Sequence, residues 1–218
     1  MEKARSRIIA HRGLWADPEQ ANSAEALTCA LTEGFGIETD LRDAAGEVVI
    51  SHDPAVQGAP RFISLLETWL NLGVLGKAPL ALNVKSDGLV PLLDGAKLAL
   101  RASAHFFFDM SFPQLRTYAQ AGHAVALRVS EYEPLPRDLA LTLKIEPRYW
   151  LDSFESDWWL GSQEIEEACR HAQVVLVSPE IHGRDPEAVW LWFADVLEKG
   201  YAISICTDRP FDVLEVIS

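Results

Sequence analysis

Three short motifs near the N-terminus carry side chains whose types and spacing could do chemistry. They are His11-Arg12-Gly13, Glu38-Thr39-Asp40 and His52-Asp53, and each ends a short apolar run typical of a β-strand. Imidazole has an ordinary pKa near neutrality, carboxylates are hard oxygen ligands for divalent cations, and a guanidinium is a planar cation suited to phosphate. The set predicts metal-assisted acid/base chemistry on a phosphate ester.

The elements that must position these motifs belong to a chain of ordinary globular composition. Its 218 residues are 49% hydrophobic and 23% charged, a length and balance that suit one large α/β domain. No Ser/Gly-rich linker, low-complexity tract or solenoid repeat divides it. We therefore predict a single domain over residues 1–218, with an oligomeric state that the sequence leaves open.

Charge and cysteine content exclude several classes of protein. Lys and Arg number 19 against 32 Asp and Glu, a net charge of -13, which repels polyanions and argues against nucleic-acid binding. A phosphate ligand would need a local cation. The three cysteines, Cys29, Cys169 and Cys206, are an odd number in apolar stretches, which predicts small buried hydrophobes and no disulfide framework.

Apolar runs are too short for targeting or membrane insertion. Residues 1–7 are charged and are followed by only three apolar residues, and no run approaches the roughly 18 residues of a membrane span. The expectation is a cytoplasmic protein without stable membrane association.

Strand and helix patterns alternate along the whole chain. We predict helices over 65–75, 89–101, 112–121, 163–171 and 187–199, among others, with a capping box at 22–25 before the first long helix. About eight strand-helix units favour a compact TIM (β/α)8 barrel over the alternative, an open doubly wound sheet. Polar residues at the predicted strand ends support the barrel, whose strand ends converge; they are His11, Asp40, Lys85, Asp109, Arg128, Asp152, Glu180 and Asp208.

Each motif taken alone has an ordinary structural explanation. Glu38 and Asp40 leave the same face of a strand and could be solvated carboxylates, either histidine could be a satisfied core imidazole, and Arg12 a surface ion-pair partner. Together, His11-Arg12-Gly13 on the first strand, Asn22-Ser23 opening the first helix, Glu38-x-Asp40 on the second strand and His52-Asp53 after the next resemble the glycerophosphodiester phosphodiesterase family, itself similar in its barrel to bacterial phosphatidylinositol-specific phospholipases C. The resemblance covers residues 8–53, about a fifth of the chain.

The resemblance implies a TIM barrel, a divalent cation, usually Mg²⁺ or Ca²⁺, and a small-molecule phosphodiester substrate. It implies that His11 and His52 act as general acid and base, Arg12 binds the phosphate, and Glu38 and Asp40 bind the metal. Elementary chemistry suits these roles, because a metal and an arginine can neutralise charge developing on phosphorus while two imidazoles exchange protons with the attacking and leaving oxygens.

The third strand departs from the family pattern. The family usually has Glu-x-Lys there, with the glutamate on the metal, whereas this chain has Asn83-Val84-Lys85. Lys85 can keep an electrostatic role towards substrate, or it can be a lysine snorkelling at the rim. Asn83 offers a neutral oxygen, and Asp109 is a candidate additional metal ligand, with a helix N-cap as its ordinary alternative.

Three functions follow for this sequence. The first is an active metal-dependent phosphodiesterase that splits a glycerol-type phosphodiester into an alcohol and a phosphomonoester. The second is a weakened barrel that binds a phosphorylated ligand without turnover, and the third is a phospholipase acting on a lipid headgroup. Trp150, Trp158 and Trp159 are either packing residues or a platform for lipid or sugar, and Glu180 and His182 are the most suggestive polar residues beyond residue 90.

Overall fold

Eight parallel strands and one antiparallel strand form a single sheet that curves into a barrel. The computed structural model describes residues 2–218. The strands are β1 (Ile8–His11), β2 (Gly36–Ala44), β3 (Glu47–Ile50), β4 (Pro79–Val84), β5 (Ala104–Phe108), β6 (Leu127–Val129), β7 (Arg148–Leu151), β8 (Gln173–Val177) and β9 (Ile203–Thr207). Their order is β5-β4-β2-β1-β9-β8-β7-β6, and β3 pairs antiparallel with β2 as a hairpin excursion.

The barrel closes between β5 and the segment leading into β6. The backbone N–H of Phe107 donates to the carbonyl of Ala124 at 2.9 Å, and the N–H of Ala126 donates to the carbonyl of Phe107 at 2.9 Å. This short seam joins the two ends of the strand order. The predicted TIM-type barrel is therefore confirmed, and the open doubly wound sheet is excluded.

Helices surround the strands on the outside of the barrel. They are α1 (Glu2–Arg5), α2 (Ala24–Thr32), α3 (Phe62–Asn71), α4 (Lys97–Arg101), α5 (Phe112–Gln120), α6 (Arg137–Leu143), α7 (Gln163–His171), α8 (Glu187–Glu198) and α9 (Pro210–Val216). Three short 3-10 helices lie at Pro18–Gln20, Val90–Ala96 and Pro179–His182. Within residues 2–218, no helix combines the length and the apolar character that crossing a bilayer would require.

Two apolar clusters reflect the alternation of side chains along the strands. The larger one packs the outer faces of the strands against the helices, with fully buried Trp69 and Phe107 among its members. The smaller one fills the barrel and combines large rings such as Phe108 and Trp150 with small side chains such as Ala81, Ala126 and Cys206. Small and large residues from neighbouring strands together fill the narrow interior. Polar residues that also point inward from these strands lie above this apolar cluster.

Several local predictions were wrong in detail. The predicted helix over 65–75 begins at Phe62 and ends at Asn71, and the one over 89–101 is a 3-10 helix followed by α4. The Leu-rich pattern over 89–101 contains Pro91, which lacks the N–H needed for a continuous α-helix. Helices α6 and α9 were not predicted. Cys29 is exposed instead of buried, because it lies on the outward face of α2.

Candidate active site

A cavity of about 510 Å³ opens at the end of the barrel where the parallel strands terminate. Seven of the eight predicted site residues line it: His11, Arg12, Glu38, His52, Asn83, Lys85 and Asp109. The eighth, Asp40, lies beneath the surface with 1% of its area exposed. The barrel thus brings side chains from separate strands and loops into one polar chamber, which we call the mouth.

The turn after β1 places Arg12 against the carboxylates of β2. Arg12 adopts a left-handed backbone conformation, φ 59°, and its N–H donates to the carbonyl of Glu38 at 3.0 Å. Gly13 follows with φ 90°, and a Cβ there would lie 2.5 Å from the carbonyl carbon of Ala26. Glycine is required at this position because the turn passes directly against the backbone of α2.

Glu38 and Asp40 form a buried carboxylate pair on the inward face of β2. Their exposed fractions are 2% and 1%, so little water screens their charges. Burial, together with the negative charge of Asp40, raises the pKa of Glu38 to about 7. Two carboxylates this close in a poorly solvated site favour a bound cation.

Asp40 is held by three surrounding side chains. Its Oδ2 accepts a hydrogen bond from Asn22 Nδ2 at 2.7 Å and lies 3.2 Å from Arg12 Nε. Its Oδ1 lies 3.4 Å from Lys85 Nζ. Asn22 also accepts a hydrogen bond from the Thr39 hydroxyl at 2.7 Å, so one amide fixes two successive residues in the middle of β2.

The candidate ligand atoms are few, but they are oxygens of the kind that a hard divalent cation prefers. Among residues 2–218, no three His, Cys, Asp or Glu side chains converge as a metal-binding group. In the same part of the chain, three buried oxygens make no hydrogen bond: Glu38 Oε2, Asp40 Oδ1 and Asn83 Oδ1. Asp40 and Asn83 are register partners on β2 and β4. Buried oxygens without hydrogen bonds on adjacent strands fit a cation that prefers carboxylate and amide oxygens, although Lys85 lies beside one of them.

His11 is oriented by a carboxylate from the far end of the chain. Its Nδ1 lies 2.7 Å from Asp208 Oδ1, and its Nε2 lies 3.8 Å from Glu38 Oε2. Burial alone lowers the pKa of His11, but the hydrogen bond with Asp208 and the charges of Glu38 and Asp208 outweigh it, so the pKa is raised. An imidazole fixed at one nitrogen presents the other in a defined direction.

His52 lies on the loop after β3 and is more open to solvent. Its side chain is 48% exposed, and its Nδ1 lies 3.1 Å from Asp53 Oδ1. The loop is tied down by Arg42, whose Nε donates to the His52 carbonyl at 2.9 Å. The two histidines therefore face the same mouth from different environments, one largely buried and one at the rim.

Lys85 bridges two carboxylates at the end of β4. Besides Asp40, its Nζ lies 3.7 Å from Asp109 Oδ2, and Arg128 Nη1 contacts Asp109 Oδ1. Asp109 has a left-handed backbone, φ 67°, and it is not the N-cap of α5, a position that Ser111 occupies. The alternative of a helix-capping aspartate is thus wrong, and Asp109 belongs to the charge network of the mouth.

Sequence reasoning gave no role to two residues that the structure makes prominent. Asp208 was expected only to face the mouth, and Asn22 was taken as part of a capping box, whereas the N-cap of α2 is Ser23. Glu180 Oε1 accepts a hydrogen bond from the backbone N–H of Asp208 at 3.2 Å and so helps to hold Asp208 in place. The position of Asp208 directly after a barrel strand indicated that it faces the mouth. Its hydrogen bond with His11, 197 residues away in sequence, was not predictable.

The tryptophans divide between packing and the mouth. Trp159 is fully buried and packs edge-on against Trp192, with ring centroids 5.1 Å apart. Trp158 is 38% exposed at the surface, and Trp150 lines the mouth. Among the three, Trp150 has the position of a platform residue.

Solved structures with this fold include glycerophosphodiester phosphodiesterases. One from Agrobacterium tumefaciens superposes with a TM-score of 0.68 at 17% identity, covering 97% of this chain and 98% of that one. One from Thermotoga maritima gives 0.59 at 14% identity, with 95% and 96% covered. No family model and no curated protein sequence matches the chain.

The barrel itself also occurs with other chemistry. A 4-hydroxy-2-oxoglutarate aldolase superposes with a TM-score of 0.51 at 16% identity, covering 100% of this chain and 97% of that one. At such identities the likeness establishes the fold, and the function has to be argued from the mouth.

Proposed function

We propose that this chain is a divalent-cation-dependent phosphodiester hydrolase that cleaves a glycerol-type phosphodiester into an alcohol and a phosphomonoester. The observation that carries the proposal is the convergence on one mouth of two histidines, a buried carboxylate pair, and the cations Arg12 and Lys85, which lie against Asp40. The glycerophosphodiester phosphodiesterases of the same fold support it. Its substrate is a small molecule, since the net charge of -13 disfavours polyanions.

The residues of the mouth divide the work between binding and proton transfer. Arg12 and Lys85 bind the phosphate oxygens, and His11 and His52 act as the acid/base pair. One imidazole takes a proton from the attacking water as the new P–O bond forms, and the other protonates the leaving alkoxide as the old P–O bond breaks, which gives the alcohol and the phosphomonoester. The hydrogen bond between Asp208 and His11 Nδ1 holds His11 in one tautomer and one orientation for this proton transfer.

Glu38, Asp40 and Asn83 would hold the cation, Mg²⁺ or Ca²⁺, with Asp109 as a further candidate ligand. When bound, the cation supplies positive charge to the phosphate oxygens. Asp109 forms ion pairs with Lys85 and Arg128. It can bind the cation only if Lys85 moves away from it. The three buried oxygens that make no hydrogen bond rank ahead of it, although Asp40 Oδ1 also lies 3.4 Å from Lys85 Nζ.

A weakened barrel that binds a phosphorylated ligand without turnover is the second candidate. The neutral Asn83, and the lack of a third converging carboxylate among residues 2–218, favour it. The matched acid/base pair favours catalysis, since a binding site needs charge but has no use for two imidazoles. Hydrolysis distinguishes the two candidates directly.

The test is hydrolysis of a phosphodiester panel with Mg²⁺, Ca²⁺ or Mn²⁺. We expect cation-dependent release of alcohol with a bell-shaped pH profile, and losses on the order of 10²- to 10⁴-fold for His11→Ala and His52→Ala. His171→Ala, at an exposed position on α7, is the matched control. Binding of a phosphomonoester without any turnover would select the second candidate.

An activated ester assigns the two proton roles. A nitrophenolate leaving group needs little protonation, so the variant that lacks the general acid should recover on a nitrophenyl ester while the variant that lacks the base should not. Equal losses of His11→Ala and His52→Ala on activated and ordinary esters would contradict the division of labour. Full activity in either variant removes that histidine from the mechanism.

Calorimetric titration tests the cation ligands independently of activity. Affinity should fall in Glu38→Gln and in Asp40→Asn, because each loses an anionic ligand. Asn83→Glu should bind the cation more tightly. Unchanged affinity in the first two variants removes the β2 pair from the site, and weaker binding in the third places Asn83 outside the ligand set.

A further inference from the structure

A third histidine–carboxylate pair lies in the mouth and, unlike those of His11 and His52, has no part in the proposed hydrolysis. His182 ends the 3-10 helix after β8, and Asp152 directly follows β7. His182 Nε2 lies 2.8 Å from Asp152 Oδ1, and the two side chains are only 25% and 12% exposed. The backbone N–H of Ser153 also donates to Asp152 Oδ1 at 2.8 Å, which fixes the carboxylate.

The strand order places this pair across the barrel from the cation and phosphate groups. In the ring of eight parallel strands, β7 stands four positions from β2, and β8 stands four positions from β4. Asp152 therefore lies opposite Glu38 and Asp40, and His182 lies opposite Asn83 and Lys85. A diester with its phosphate held at β1, β2 and β4 extends its remaining part towards His182.

The wall around His182 is apolar. Phe108 and Trp150 stack with ring centroids 3.9 Å apart, and Ala126, which directly precedes β6, the strand between theirs, is a small member of the same interior cluster. The ring of Phe154 lies 5.2 Å from the ring of His182. A wall of this kind accepts the carbon skeleton of an alcohol, with one polar ring among the apolar ones.

Arg128, the cation in this half of the mouth, is not available to a second anion, because its charge is already neutralised by Glu133 and Asp109. Arg128 Nε donates to Glu133 Oε2 at 2.6 Å, and Arg128 Nη1 contacts Asp109. His182 is accordingly the side chain of this half whose hydrogen-bonding capacity remains for a ligand: its Nε2 is committed to Asp152, and Nδ1 is left.

We propose that His182, oriented by Asp152, determines specificity by recognising a hydroxyl on the alcohol half of the diester. Donation from Nε2–H to Asp152 commits that nitrogen, so Nδ1 is the ring atom left to hydrogen-bond a hydroxyl. The preferred alcohols are polyols of the glycerol type, and alcohols without a second hydroxyl leave Nδ1 unpaired. The inference rests on the proposed function for the position of the phosphate.

The first test compares the methyl phosphodiesters of glycerol and of propan-1-ol. Wild type should prefer the glycerol ester, and His182→Leu should lower that preference about 3- to 10-fold, the equivalent of one neutral hydrogen bond. The loss should appear in KM for the glycerol ester, with kcat and the propanol ester unchanged. His182→Asn keeps an acceptor near the Nδ1 position and should restore part of the preference.

The second test needs no turnover and uses calorimetric binding of glycerol 3-phosphate and propyl phosphate. Wild type should bind the glycerol compound more tightly, and His182→Leu should bind both alike. His171→Leu, on the exposed face of α7, is the matched control, and a thermal melt checks that each variant is folded.

The outcomes separate the two proposals. An unchanged glycerol preference in folded His182→Leu, or equal losses on both ligands, overturns the role of His182. Binding preference that depends on His182 without hydrolysis of any diester supports that role and refutes the proposed hydrolase. Hydrolysis with a glycerol preference that is the same in wild type and His182→Leu supports the proposed hydrolase and overturns the role of His182.

Discussion

The buried amide of Asn22 should be a main support of the carboxylate pair, and a pair of substitutions measures its contribution. Asn22 is 9% exposed, donates to Asp40 at 2.7 Å and accepts from Thr39 at 2.7 Å. A hydrogen bond to a charged group contributes about 1.5–3 kcal/mol and a neutral one about 0.5–1.5 kcal/mol. Asn22→Gly removes both bonds, and we expect the free energy of unfolding to fall by about 2–4 kcal/mol.

The backbone at this position distinguishes lost hydrogen bonds from strain. Asn22 has φ 64°, a conformation that glycine adopts freely and that costs most other residues about 1–2 kcal/mol. Asn22→Ala loses the same two bonds and adds this strain, so it should be less stable than Asn22→Gly even though alanine restricts the unfolded chain more than glycine does.

Urea unfolding followed by circular dichroism gives both values, provided the m-value stays unchanged. Asn71→Gly, at an exposed residue that ends α3, is the control and should cost no more than about 1 kcal/mol. Wild-type stability in Asn22→Gly would refute the energetic role of the two bonds. A variant with alanine at 22 that is more stable than the glycine variant would refute the strain.

Two further outcomes follow from the geometry. Gly13→Ala should destabilise the fold by several kcal/mol more than Gly46→Ala, since both have positive φ but only the first brings a Cβ to 2.5 Å from Ala26; equal melting temperatures would contradict the close approach. Burial first, and then His123, lower the pKa of His105 to about 4, so its neutral form stabilises the fold fully above pH ~6.5 and progressively less as the pH falls towards 4. Relative to His105→Gln, wild type should lose about 1.4 kcal/mol between pH 7.5 and 5.5, and a pH-independent difference in unfolding free energy would refute the lowered pKa.

The barrel and the first half of the mouth were predictable from the sequence because they depend on local patterns. Side chains alternate along a strand, so Glu38 and Asp40 had to share a face, and parallel strands end on one side, so His11 and Lys85 had to meet them there. The positions of these residues in one cavity follow from that reasoning. Their catalytic and metal-binding roles stay predictions.

The second half of the mouth depends on contacts that no local pattern encodes. His11 meets Asp208 across 197 positions, and His182 meets Asp152 across 30. The loops that carry these residues have no repeat or motif, and either carboxylate could have been solvated with equal justification from sequence alone. Asn22 shows the same limit, since a residue typical of a helix cap instead spans two strand residues.

The neutral residue at position 83 bears on both the stability of the protein and its affinity for a cation. Glu38 and Asp40 are buried on one face of β2, and burial together with the charge of Asp40 raises the pKa of Glu38. A third carboxylate at Asn83, the register partner of Asp40, would add another buried negative charge, while an amide offers an oxygen without charge. Lys85, 3.4 Å from Asp40, offsets part of the remaining charge. In the proposed cation site, an amide at position 83 therefore attracts a divalent cation less strongly than a carboxylate would, and the cation-free form contains one less buried negative charge.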